Sequence, residues 1–359
     1  LFIFCSVICG ALAYTWSDTF WFSAVEAEVY AFSSFCTALV FWLILKWENR
    51  ADEPNSDRYL ILIAYVIGVS IAVHLLNLLC IPAIVLVFYY KKYKDTTVKG
   101  SLIALGVSFV IIALILYGLV PGFVKAAQEF ELFFVNALGM PYNSGVLIYT
   151  ILNFAVFAWC LFELYRQKNP TYIKVSFFAA VVLSGMLFFG NGWLIAAVLV
   201  IALGIYLFKF CNRIPVRIFT LTALSILVIF IGYSSYALIL IRSNSHTPIN
   251  QNCPDNVFSL STYHNREQYG ERPLLYGQTF NSGIVYKDNG NGGYSPEKSA
   301  GKDLYAKDVT STHQGRDRYF MKGNDYKYKM NPELNMLFPR MYSGAHANEY
   351  KEWVNLQGE

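Results

Sequence analysis

The chain has 359 residues, 55% of them hydrophobic and only 14% charged, with a formal net charge of +4. The apolar residues crowd before residue 242, a composition that points to a polytopic membrane protein rather than a soluble globular one. So small a positive charge, without a basic aromatic platform or a nucleic-acid motif, leaves nucleic acid out as a partner.

A bilayer core about 30 Å thick takes about 20 helical residues. Residues 1–15 read as the tail of one span. They open on Leu-Phe-Ile-Phe inside an apolar stretch with neither an initiator Met nor a charged leader, so the chain is expected to be an internal piece of a longer protein. Single spans follow at roughly 29–46, 101–121, 146–165 and 218–241. The run 59–90 is long for one span and lies between Arg58 and Lys91, so it is expected to form a hairpin of two short helices turning near His74 to Asn77. The run 175–209 lies between Lys174 and Lys209 and carries Gly190-Asn191-Gly192 at its middle, which predicts a second hairpin. The expected fold is an all-α polytopic bundle of about nine spans over 1–241, followed by a water-exposed region over 242–359. In that region 281–302, with Asn289-Gly290-Asn291-Gly292-Gly293, reads as a long flexible loop.

Charge then orients the spans. Lys46, Arg50, Arg58, Lys91, Lys92, Lys94, Lys99, Arg166, Lys168, Lys174, Lys209, Arg213 and Arg217 fall in alternate gaps, and the other gaps hold only Lys125. Short basic loops stay in the cytoplasm, which places Asp18, Glu26, Glu28, His74, Asn77 and the region after Arg242 on the exported side. A single span over 59–90 would invert everything before it, putting the basic loop 46–58 outside.

Asp18, Glu26 and Glu28 stand just outside the span at 29–46, among interfacial Trp16, Phe20, Trp21 and Phe22. Ser23 followed by Glu26 has capping-box spacing, in which Glu26 would bond back to the Ser23 amide at a helix start. Asp18 reads equally as a cap or as an acid–base group. Glu28 has no capping role and sits deeper toward lipid, where a carboxylate is costly unless it faces protein or a water-filled cavity. His74 and Asn77, three residues apart, would share one helical face and could donate to a phosphate, or be a satisfied interfacial pair. Arg242 is either a snorkelling anchor or a bidentate phosphate partner. Glu129 and Glu131 read as the solvated face of a surface helix that lays Phe133 and Phe134 on lipid. The seven cysteines suggest neither a disulfide framework nor a metal site, and there is no Walker, His-Glu-x-x-His or nucleophile-elbow motif.

Three strings carry a family resemblance: Ser17-Asp18-Thr19-Phe20-Trp21-Phe22-Ser23-Ala24-Val25-Glu26, Val73-His74-Leu75-Leu76-Asn77-Leu78-Leu79 and Asn265-Arg266-Glu267-Gln268-Tyr269-Gly270. The chain resembles a bacterial multispan membrane family known only as a domain of unknown function (type 2723), itself similar to the animal transmembrane protein O-mannosyltransferases. That resemblance implies a GT-C type glycosyltransferase of the bacterial inner membrane, with its tail on the periplasmic side. Such an enzyme moves a sugar, mannose or another hexose, from a polyprenyl-phosphate donor to a hydroxyl of an exported protein or glycan. No cofactor is expected, and no ligand cluster argues for a metal, whose use stays open. It also places the family's main catalytic acid in a loop upstream of Leu1. Within this chain the expected acid–base residues are Asp18, Glu26 and Glu28, and the expected donor-phosphate residues are His74, Asn77 and Arg242. A transporter or flippase for a lipid-linked or anionic substrate is the first rival, against which the mid-span segments are nearly free of charge. A non-catalytic membrane scaffold is the second.

Overall fold

The computed structural model describes residues 1–26, 29–188, 193–245, 247–265, 267, 272–290, 292–308 and 316–355. They group into two compact units, one of Leu1–Glu131 with Asn143–Val257 and one of Leu132–Tyr142 with Phe258–Glu359.

The first unit is built of helices. In chain order they are α1 (Phe2–Thr15), α2 (Asp18–Val25), α3 (Tyr30–Arg50) and α4 (Asp57–Ile71), then a 3-10 turn at Leu75–Cys80 that leads into α5 (Ile81–Lys92). Next, α6 (Val98–Ala113) passes through a π-helical stretch, Leu114–Leu119, into α7 (Val120–Leu132). After it come α8 (Ser144–Arg166), α9 (Pro170–Leu183), α10 (Trp193–Ile205), α11 (Val216–Tyr233) and α12 (Ala237–Asn244). Local chemistry sets several starts. Thr97 accepts the Gly100 amide at 3.0 Å to cap α6, and Asn169 accepts the Thr171 amide at 2.9 Å with Pro170 at the first helical position of α9.

Among the described residues, five helices are long and apolar enough to cross a membrane: Tyr30–Arg50, Leu75–Lys92, Val98–Ala137, Ser144–Arg166 and Val216–Asn244. A sixth is added if α1 and α2, bent by 60°, count as one span. These mark a membrane protein, and they correct the expectation of about nine spans. The reason is length. The run 59–90 does break at Ala72–His74, but α4 has only 15 residues; α9 has 14, and Leu194–Phe210 is likewise short for a bilayer that needs about 20. The Gly190-Asn191-Gly192 turn lies outside the described residues. A further correction concerns the separate surface helix expected to carry Glu129, Glu131, Phe133 and Phe134. Those residues belong instead to the long helix that begins at Val98 and continues to Ala137.

Within this unit the helix directions can be followed from side-chain contacts. The Arg217 guanidinium meets the Asp57 carboxylate with two bonds of 2.7 Å at the starts of α11 and α4. Farther along, Gly68 lies against the Ile229 backbone and Gly232 against Tyr65 and Val69, so α4 and α11 run side by side in the same direction. The last residue of α5, Lys92, donates to the Ala51 carbonyl at 2.7 Å, returning α5 to the end where α3 finished. Beside it Asp52 is held below the usual carboxylate range by the hydrogen bond and charge of Lys92, and then by Lys91. Arg50, Lys91, Lys92 and Arg217 therefore gather at one end of these helices, and the 72–80 turn lies at the other. The core between them is close-packed: Val40, Leu43, Ile44, Trp47, Leu119, Phe157 and Leu207 are buried, with Trp47 stacked on Phe88 and Phe177 on Phe219. By contrast α1 buries no residue, as a helix surrounded by lipid would.

The second unit begins in α13 (Val257–His264) and adds three two-stranded antiparallel sheets. β1 (Tyr276–Gln278) pairs with β6 (Asn335–Leu337), β2 (Tyr286–Asp288) with β3 (Tyr294–Pro296), and β4 (Lys298–Lys307) with β5 (Tyr319–Tyr328). A last helix, α14, covers Ala347–Trp353. The expectation of a long flexible loop over 281–302 is thus corrected. Gly290 and Gly292 take positive φ and the Gly290 amide bonds the Asp288 carboxylate, so the glycine-rich string is the turn of the β2–β3 hairpin. Residues 132–142 belong to the same unit. The Asn136 amide brackets the backbone of Tyr319 with bonds of 2.9 and 2.8 Å, and the Tyr142 amide bonds Asp317 at 2.9 Å.

Burial pushes the imidazole of His264, at the end of α13, below its ordinary range. The unfolded chain takes up a proton near pH 6.5 that the folded unit resists until more acid is added. Stability is therefore complete above about pH 6.5 and declines as pH falls. Thermal unfolding should show a lower midpoint at about pH 5.5 than at about pH 7.5, and His264→Gln should shrink that difference. A midpoint that rises toward acid would contradict this sign.

Candidate functional site around the 72–80 turn

The apolar run that begins in α4 ends where Ser70 accepts the amides of Val73 at 3.0 Å and His74 at 2.7 Å. His74 is then extended, and its Nδ1 accepts the Leu76 amide at 3.1 Å, capping the 3-10 turn. An Nδ1 that accepts leaves the proton of the neutral ring on Nε2. The half-buried ring lies 5.4 Å from that of Tyr30, the first residue of α3. Nε2 makes no bond among the described residues, so this atom can donate to a ligand.

Asn77 points the other way. It is wholly buried, and its Oδ1 accepts from Thr37 Oγ1 at 3.3 Å and from Cys80 Sγ at 3.2 Å. The expected common face of His74 and Asn77 is therefore absent: His74 caps the turn toward the outside while Asn77 anchors it from within. Among the described residues, the buried Asn77 Nδ2 and Ser33 Oγ on α3 have no hydrogen-bond partner. Such groups inside a membrane bundle are costly unless they do something.

Asp18 is the first residue of α2 and is exposed, at the helix end that favours a carboxylate. Glu26 follows the last residue of α2, with its amide bonded to the Phe22 carbonyl. Ser23 thus lies inside a helix and Glu26 beyond its end, so the capping box does not form. At that end the helix dipole disfavours a carboxylate, and the folding of α2 gives Glu26 no role. Glu28 lies outside the described residues. Flanking rings pack locally, Trp16 stacked on Trp21 at 5.3 Å and Tyr14 against Phe20 at 4.3 Å. Arg242 is exposed in the last turn of α12, beyond the end of α11 that lies beside Gly68. No hydrogen bond or ion pair joins Asp18, Glu26 or Arg242 to His74 among the described residues. What the structure brings together is His74 with Tyr30, four residues after Glu26.

Glu131 went unrecognised in the sequence. It was expected on a solvated face, yet it is fully buried, where its Oε1 accepts the Asn143 amide at 2.6 Å and its Oε2 the Val146 amide at 3.2 Å. It supplies from a neighbouring helix the cap that α8 lacks, since Asn143 makes no side-chain cap bond. A signal existed. Val120, Val124, Ala127 and Glu131 follow the four-three-four spacing of one helical face, and all are buried.

Comparison with known families divides the chain by its ends. Residues 1–97 match the family described as Protein O-mannosyl-transferase TMEM260 N-terminal domain, and this stretch includes Asp18, Glu26, Glu28, His74 and Asn77. Residues 270–359 match a Family of unknown function (DUF8416). No curated protein and no solved structure matches the chain. The likeness over 1–97 is to a membrane O-mannosyltransferase-like glycosyltransferase.

Proposed function

We propose that the chain is part of a GT-C type membrane glycosyltransferase that moves mannose or another hexose from a polyprenyl-phosphate donor to a hydroxyl of an exported protein or glycan. The observation that carries this reading is the O-mannosyl-transferase family match over 1–97, the stretch in which His74 holds an unused Nε2 donor next to the aromatic end of α3. Transfer needs a base to take the proton of the acceptor hydroxyl, worth about 10²–10⁴ in rate. It also needs donors aimed at the phosphate as the carbon–oxygen bond to the sugar breaks and negative charge grows there. Glu28, Glu26 and Asp18 are the acid–base candidates, and His74 Nε2 with Arg242 the donors to the phosphate. Asn77 acts from beneath, fixing the turn that presents His74. The apolar surface of the helices accommodates the polyprenyl tail, and the positive ends of the bundle lie in the cytoplasm, which puts this turn on the exported side.

The test is glycosylation of an exported acceptor in cells that carry the full protein. Glu28→Gln and His74→Ala should each lower it by about 10² or more at unchanged protein level. His74→Asn, which can still accept the Leu76 amide, should fold as the parent does yet remain impaired. Full glycosylation in every variant would remove these residues from any transfer site.

A further inference from the structure

The loop that joins α3 to α4 is held by bonds of its own. The Glu53 amide bonds the Arg50 carbonyl at 2.9 Å, the Tyr59 amide bonds the Ser56 carbonyl at 3.1 Å, and the buried Ser56 hydroxyl bonds the Ala51 carbonyl at 3.2 Å. Lys92 holds the same Ala51 carbonyl from α5. This ordered loop sets two arginines around one side chain, Arg50 as the last residue of α3 and Arg58 in the first turn of α4. Arg50 Nη1 donates to the Tyr59 hydroxyl oxygen at 3.2 Å, and Arg58 Nη2 donates to the same atom at 3.4 Å. The Tyr59 ring packs against the buried core, which fixes the position of that oxygen.

Two guanidinium groups gathered on one neutral oxygen leave their charge unanswered. The cations beside them have acids: Lys91 and Lys92 share Asp52, and Arg217 holds both oxygens of Asp57. Among the described residues no ion pair joins Arg50 or Arg58 to Glu48, Asp52, Glu53 or Asp57. Both arginines are exposed, and the phenol oxygen takes one N–H from each fork of five, the second over a long bond. An anion is what such a pair lacks. A phosphate group fits it, because its oxygens meet planar guanidinium forks two at a time and carry the negative charge that Tyr59 does not. The length of α3 sets the depth. Its 21 residues, Tyr30–Arg50, rise about 30 Å, one hydrocarbon thickness, so a helix that crosses the bilayer brings Arg50 to the level of the lipid phosphates.

We propose that Arg50 and Arg58, gathered on the Tyr59 hydroxyl, bind a phosphate group, of the kind that an anionic lipid presents at this end of the helices. This goes beyond the transferase reading and stands without it, because the 72–80 turn lies at the other end of α3, α4 and α5.

Native mass spectrometry of the full chain in detergent, titrated with phosphatidylglycerol, phosphatidylcholine and inorganic phosphate, tests it. Phosphatidylglycerol should bind more tightly than phosphatidylcholine, and Arg50→Gln with Arg58→Gln should weaken its binding about tenfold. Arg50→Lys with Arg58→Lys keeps the charge, loses the forks and should fall between the two. Lys94→Gln with Lys99→Gln removes two exposed charges from the connection between α5 and α6, at the same end, and should bind as the parent does. Because all these side chains are exposed the variants keep the fold, which the thermal midpoint without lipid checks. Competition by inorganic phosphate would assign the site to a soluble phosphate, and its failure to compete would assign the site to the lipid. Three outcomes overturn the proposal: no probe binds, the glutamine pair at 50 and 58 binds as the parent does, or the pair at 94 and 99 loses as much, which would reduce the site to diffuse positive charge.

Discussion

Gly68→Ala and Gly232→Ala will each unfold or badly loosen the first unit. A methyl at Gly68 would sit 2.5 Å from the Ile229 carbonyl oxygen, and one at Gly232 would sit 2.6 Å from the Val69 amide nitrogen. Both obstacles are backbone, so no rotamer change relieves them and α4 must move off α11. Helices in lipid associate largely through such close approach, because the surrounding chains are as apolar as the helices. Overpacking of this kind costs about 1–3 kcal/mol and often more. The control is Gly106→Ala, where nothing lies within 4 Å of the added methyl. There alanine should stabilise by up to about 1 kcal/mol through helix propensity alone. Thermal midpoints in detergent should therefore move in opposite directions for chemically identical substitutions. If Gly68→Ala were neutral, the parallel packing of α4 on α11 would be wrong.

The second large effect is at Glu131. Glu131→Ala strips the cap from α8 and leaves the Asn143 and Val146 amides buried without an acceptor, at about 1–3 kcal/mol for each. It also removes a negative charge from a helix N-terminus, where it is favourable. Glu131→Gln keeps one carboxyl-like oxygen and should fall between alanine and the parent. The first turn of α8 should lose amide-exchange protection in the alanine variant while the far end of α8 keeps its own. Gly145→Ala reports on the same junction from the other side, since its methyl would come within 2.4 Å of the Glu131 Cα. An alanine variant as stable as the parent would mean that α8 begins elsewhere.

The breaks between helices were easier to read in the sequence than what crosses between them. His74 and Asn77 interrupt an apolar run, and polar groups at membrane depth mark a turn; α4 does end just before them, at Ile71. Span number misled because hydropathy counts apolar residues and not helix length, and α4 and α9 are shorter than the apolar runs that hold them. The role of Glu131 was hidden for a different reason. Its partners, Asn143 and Val146, are non-local amides, and a carboxylate beside two phenylalanines looks like any solvated helix face until the neighbouring helix is placed. Glu26 shows the converse. Its spacing from Ser23 satisfies a local rule, but α2 is capped at Ser17, six residues before the cap that rule assumes. In the tail, Asn-Gly repeats serve a flexible loop and a hairpin turn equally, and β1, β2, β3 and β6, of three residues each, are too short to show a period.

Asn136 and Tyr142 carry a practical consequence for anyone cutting this protein apart. They come from the segment after α7, far upstream in the sequence, yet their side chains and amides complete the edge of β5 at Tyr319 and Asp317. A tail excised at residue 258 would be born with a missing strip, its Tyr319 backbone groups bare and ready to seek another chain. The second unit is thus a composite, finished only when a stretch made long before most of it folds back to close the seam.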